Sequence, residues 1–156
     1  MPTAVNIALT ELTEDAIIAW ILDTVKNGLT ISPTPRRFNQ TKFLDDDVTL
    51  NPLTLPAITV EAQQGRAVHN QIPMYLMDVE VMLYMQADDT QKSAWDDLAE
   101  SLESLFLVAD LAAFLTSEVQ GFVCGGIVTR NLGKKDIAER HWRRSYRLQL
   151  WAGKNP

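Results

Sequence analysis

The sequence predicts a single α+β domain over residues 1–156, a roughly four-stranded antiparallel sheet with helices packed on one face, in the order α-β-β-α-β-β. Three observations predict it. Apolar residues recur at helical spacing in 13–27 and again in 90–106. Apolar and polar residues alternate in 57–62, 74–86 and 141–151. The balance of 46% hydrophobic and 22% charged residues over 156 positions is that of a globular chain long enough to build a core.

The first helix is read from Thr13 to Asn27. Ile17, Ile18, Ile21, Leu22 and Val25 form its stripe beside Trp20, Thr13 is its expected N-cap, and Gly28 is its natural C′ residue. Residues 29–55 hold Pro33, Pro35 and Pro52 and show no sustained period, which predicts a long loop or arm. Ile31, Phe38, Phe43, Leu44 and Val48 within it suit an arm on a neighbouring molecule and a cover over the chain's own core equally well. Ala57 to Ala62 reads as a strand with Ile58, Val60 and Ala62 inward, and residues 62–73 as a polar connection. Met74 to Gln86 reads as a longer strand: Tyr75, Met77, Val79, Val81, Leu83 and Met85 share one face, Asp78, Glu80, Met82, Tyr84 and Gln86 the other.

A second helix is expected from about Thr90, capped by Asp89 or Thr90. Its stripe is Trp95, Leu98, Leu102, Leu105 and Phe106, and its outer face is acidic, with Asp96, Asp97, Glu100 and Glu103. Asp110 to Thr116 reads as a short continuation. Residues 119–129 read as a strand bulged at Gly125 and Gly126, 130–139 as a polar turn, and His141 to Trp151 as the last strand. In that strand Trp142, Tyr146, Leu148 and Leu150 oppose His141, Arg143, Ser145, Arg147 and Gln149.

Composition excludes several classes. A lone cysteine, Cys124, forms no intrachain disulfide. No apolar run approaches the roughly 20 residues that cross a bilayer, and residues 1–15 lack the pattern of a signal peptide, so a reducing cytoplasm is expected. Gly133, Lys134 and Lys135 do not make a P-loop: the spacing from Gly126 is too long, and Lys135 stands where Ser or Thr is needed. Cys124 in FVCGG reads as a buried thiol rather than a nucleophile paired with His141. Asp45, Asp46 and Asp47 lack the alternating spacing of a calcium loop. No catalytic constellation, metal site or cofactor is expected.

The net charge of −6 is unevenly placed: residues 1–129 carry −12 and residues 130–156 carry +6. The distinctive chemistry is the run RHWRRSYRLQLW, in which Arg143 and Arg147 share a strand face and Arg144 falls beside Trp142 and Tyr146. Three readings stand for it. Arg143 and Arg147 pair with Asp78 and Glu80 across the sheet, or the run is a subunit interface, or it binds single-stranded nucleic acid by stacking and charge.

The succession TEDAIIAWILDTV, LPAITVEAQ, YLMDVEVMLYM, DTQKSAWDDLAESLESLF and GGIVTRNLGKKDIAERHWRRSYRLQLW resembles that of tailed-bacteriophage tail terminators, or tail completion proteins, of the minor tail protein U type. The likeness covers most of residues 10–152 and is one of layout, without a short diagnostic motif. It implies a non-enzymatic virion protein of the tail and neck, assembled in the host cytoplasm. Such a protein forms a ring, usually hexameric, that caps the tail tube, stops its polymerisation and offers a surface to the neck or head connector. DNA passes through the lumen without sequence-specific binding, and no membrane is involved. Small phage neck proteins share some of this texture. In such a ring Lys134, Lys135, Arg143, Arg144 and Arg147 are expected to meet acidic surface on a neighbouring subunit or the tube protein, with Asp96, Asp97, Glu100 and Glu103 as one candidate partner face. The loop 29–55 and the turn 131–139 are further candidate contact arms.

Overall fold

A computed structural model describes residues 8–32, 34–37, 56–69, 72–86, 92–137 and 141–154; of these, 68, 69, 72, 73, 86, 133–137 and 141 are described by their backbone alone. The expected α+β architecture is present. Helices α1 (Leu9–Leu22), α2 (Thr24–Asn27), α3 (Lys92–Phe106) and α4 (Leu111–Glu118) accompany strands β1 (Arg36–Arg37), β2 (Ala57–His69), β3 (Ile72–Gln86), β4 (Phe122–Ile137) and β5 (His141–Lys154). The sheet order is β1-β2-β3-β5-β4. The four long strands are antiparallel, and the two-residue β1 adds in parallel to the outer edge of β2.

The alternation read in β3 and β5 fixes which face is buried. Met77, Val79, Val81 and Leu83 stand opposite Leu150, Leu148, Tyr146 and Arg144, and Val79 and Val81 stand opposite Ala62 and Val60 on β2. Every apolar member of this set is buried. α3 covers β5: Trp95 meets Trp142 edge-on at 5.4 Å, and the Tyr146 hydroxyl donates to the Ala99 carbonyl at 2.8 Å. α1 lies over β2, and α4 over β4, where the Thr116 hydroxyl accepts from the Cys124 N–H at 2.9 Å. Trp20 joins the three helices. Its ring stacks on Phe114 of α4 at 5.0 Å, and its indole N–H donates to the Leu105 carbonyl of α3 at 2.9 Å.

The first helix begins at Leu9, four residues earlier than expected. Leu9 and Leu12 are buried and extend the apolar stripe by a turn, so core burial prevails over a cap at Thr13. Thr13 is itself buried inside the helix, and its hydroxyl donates to the Leu9 carbonyl at 2.8 Å. The helix also breaks at Asp23, whose carboxylate accepts the Lys26 N–H at 3.1 Å and starts α2. Gly28 closes α2 at φ 74°, as its identity suggests.

Two segments read as polar connections are strand. Residues 63–69 continue β2, and 130–137 continue β4. Backbone pairing needs no apolar side chain, so the alternation ends before the ladder does. Three register shifts in β4, one at the expected Gly125 bulge, absorb its extra residues. At the shift in β2, a Cβ on Gly65 would lie 2.7 Å from the Leu76 carbonyl oxygen, so only glycine fits. Asp110–Thr116 is not a continuation of α3 but falls in the separate helix α4. The loop expected at 29–55 lies outside the described residues from 38 to 55, as do Asp45–Asp47 and the caps Asp89 and Thr90.

Trp95 is fully buried. Its replacement by alanine is expected to destabilise the fold by about 3–5 kcal/mol, read as a shift in the urea midpoint with unchanged slope.

Candidate functional site

All three longer helices pack on one face of the sheet, and the opposite face carries the polar residues of the four long strands. Its middle is a depression of about 530 Å³ lined by Glu61 and Gln63 of β2, Asp78 and Glu80 of β3, Arg147 and Gln149 of β5, and Thr129 and Asn131 of β4. The register sets this arrangement. Glu61 stands opposite Glu80, Glu80 opposite Arg147, and Arg147 opposite Asn131, so one row runs across four strands. Arg147 Nε donates to Glu80 Oε2 at 2.9 Å, and Gln149 Nε2 donates to Asp78 Oδ1 at 2.8 Å. Thr129 Oγ1 donates to Gln149 Oε1 at 3.3 Å.

The expected cross-strand pairing is therefore half present: Arg147 takes Glu80, but Asp78 takes Gln149 in place of an arginine. Arg143 lies farther along the same face, opposite Tyr84. Burial pushes the Tyr84 phenol up, while its hydrogen bond with Thr59 and the Arg143 charge pull it down. Arg144 points the other way, under α3, where its Nη2 lies 3.5 Å from Glu103 Oε2. These two residues, expected on opposite sides of a subunit contact, thus meet within one chain. Asp97 and Glu100 are exposed on the outside of α3, and Asp96 is half-buried. Lys134 and Lys135 stand opposite Ser145 and Arg144 in the β4–β5 ladder, so they belong to strand rather than to a free turn.

Of the three aromatics in the C-terminal run, Trp151 is half-buried and the other two are not available for stacking. Trp142 and Tyr146 are both buried against α3. Burial pushes the Tyr146 phenol strongly up, which keeps it a neutral donor to Ala99. Cys124 is likewise buried, and its thiol is pushed up by desolvation. Register places Cys124 beside Ala152 and Gln86 beside His141, at opposite ends of β5, so a Cys124–His141 pair does not form. Among the described residues no group of three or more His, Cys, Asp or Glu is placed to hold a metal ion. Among them, too, no helix is long and apolar enough to cross a membrane.

Two structural contacts carry no sequence signal of their own. Arg130 reaches from β4 to the C-terminal end of α3, donating to the Phe106 carbonyl at 2.8 Å and to Val108 at 3.4 Å, where a cation suits the helix dipole. Glu14 is a charged residue buried among the core residues of α1, and its Oε2 accepts the Ala62 N–H at 2.9 Å. Both contacts join positions more than twenty residues apart, which local periodicity does not report.

No family model matches the chain, and no curated protein is significantly similar to it in sequence.

Burial raises the Glu14 carboxyl, outweighing the Ala62 N–H and the Arg37 charge, which lower it; Asp15 and Glu61 raise it further. The folded chain therefore holds this proton more tightly than the unfolded chain. The stability it contributes is full below the unfolded carboxyl range and is lost as pH rises through the folded value. Glu14→Gln keeps an acceptor for Ala62 and is neutral at every pH. The variant is expected to melt above wild type at pH 7 and to approach it at pH 4. A variant that melts below wild type at pH 7 contradicts this reading of the burial.

Proposed function

We propose that the chain is a structural virion protein of the tail-terminator type, which closes into a ring on the tail tube and presents a docking surface to the neck. The observation that carries the reading is the two-layer build. One sheet face is sealed by helices, and the other exposes a shallow polar depression in which Glu61, Asp78 and Glu80 surround Arg147, with Arg143 farther along the same face. Mixed charge of this kind suits a protein contact that fixes register, because wrong alignments set like charges together. The charge is separated along the sequence, −12 over residues 1–129 and +6 over residues 130–156. The charges left exposed on the open face, such as Arg147 and Asp78, are those a heterologous, ring-closing contact would use. The resemblance in element order to tail terminators supports the same conclusion, and a neck protein of similar build is the nearest alternative.

A nucleic-acid module is less well supported. Of the three aromatics in the C-terminal run, Trp142 and Tyr146 are buried, which leaves the half-buried Trp151 for stacking. Its phosphate contacts would be Arg143 and Arg147 on a face that also carries Glu61, Asp78 and Glu80, a net charge of −1 for the five. No catalytic role is proposed.

The double charge reversal Arg143→Glu/Arg147→Glu is the test. Sedimentation velocity is expected to show assembly shifted to about tenfold higher concentration, with the far-ultraviolet circular dichroism of wild type. Assembly at the wild-type concentration by the folded variant removes these arginines from the contact. Retention of single-stranded oligonucleotide by wild type at physiological salt favours the nucleic-acid reading instead.

A further inference from the structure

A sheet with two outer strands exposes unpaired N–H and C=O groups, and these invite strand addition by another copy. The outer edge of β2 is occupied from Thr59 to Ala62 and irregular just beyond. β1 pairs with Thr59 and Val60. The next outward N–H is that of Ala62, and the Glu14 carboxylate takes it at 2.9 Å. The following one, by the alternation of the ladder, is that of Gln64, and there the register with β3 shifts at Gly65. β1 is in turn tied to α1, since Arg37 Nε donates to Asp15 Oδ1 at 2.8 Å and Arg37 Nη1 lies 3.8 Å from Glu11.

We propose that Glu14, with β1 held beside it by Arg37, is a closure that keeps a second copy of this chain from adding a strand to β2. Contacts between copies are thereby directed away from the β2 edge. The inference does not rest on the ring reading, because it concerns the isolated subunit. The Ala62 N–H is the hydrogen-bond donor to this buried carboxylate in α1, and the Arg37 charge of β1 also favours it. A glutamate there also carries a desolvation cost that an apolar residue on the same helix stripe would avoid. A side chain that reaches across from a helix and occupies an outward donor removes one of the groups that an added strand would pair with.

Three variants test this. Glu14→Ala removes the plug, and Glu14→Gln keeps an acceptor in place. Glu14→Ala/Ala62→Pro removes the plug and also the exposed donor. Proline is admissible there because the Ala62 N–H points away from β3. Amide hydrogen exchange at Ala62 is expected to be at least tenfold faster in Glu14→Ala than in wild type or Glu14→Gln. Sedimentation velocity across the micromolar range is expected to show species in Glu14→Ala beyond the wild-type distribution, absent in Glu14→Gln and abolished in the double variant. A folded Glu14→Ala with unchanged Ala62 exchange overturns the proposal, as does a wild-type distribution at every concentration. Should Glu14→Ala fail to fold, Arg37→Ala releases β1 from outside the core. It is expected to give the same extra species, and a folded Arg37→Ala with the wild-type distribution overturns the proposal equally.

Discussion

The structure depends on a single burial constraint: the inward residues of β3 and β5 must be kept from water, and only one face of the sheet is apolar. Met77, Val79, Val81, Tyr146, Leu148 and Leu150 form the centre of that face, and α1, α3 and α4 meet over it. Trp20, Trp95 and Phe106 fill the space between the helices and the sheet. Sealing one face determines the other. With helices on one side alone, the row Glu61, Glu80, Arg147 and Asn131 is left on an open surface. The surface proposed for assembly is thus a consequence of the two-layer fold rather than an addition to it.

Much of this was legible before the fold was seen, wherever one side chain's burial sets the pattern of its neighbours. The alternation in 74–86 and 141–151 assigned each residue to its face, and the stripe Trp95, Leu98, Leu102, Leu105, Phe106 set the packed side of α3. What escaped was backbone pairing without alternation. Residues 63–69 and 130–137 are polar, yet they stay in the ladder because a neighbouring strand satisfies their N–H and C=O groups. The two-residue β1 has no periodicity to detect. Within the candidate site, the shared face of Arg143 and Arg147 was readable from alternation. The partners were not: Gln149 rather than an arginine takes Asp78, and Glu103 takes Arg144 across 41 residues.

The electrostatics follow the same division. Charges on the open face meet solvent, and a pair such as Arg147–Glu80, with the arginine side chain 69% exposed, contributes at most about 1 kcal/mol to stability. Such groups are free to be used between molecules at little cost to the fold. Glu14 is the opposite case, a carboxylate held where solvation is lost, with the Ala62 N–H as its hydrogen-bond donor. In the proposed assembly the subunit associates through its adaptable face, and an association that depends on oriented faces stops at a defined size when its rotation closes.

The proposed assembly is a closed ring built through the faces of the subunit. Negative-stain imaging of the purified protein over a range of concentration and salt tests it most directly. The account predicts annular particles of one diameter at low salt that dissociate as salt rises, as contacts between exposed charges must. Filaments of variable length, or monomers at every concentration and salt, would contradict it.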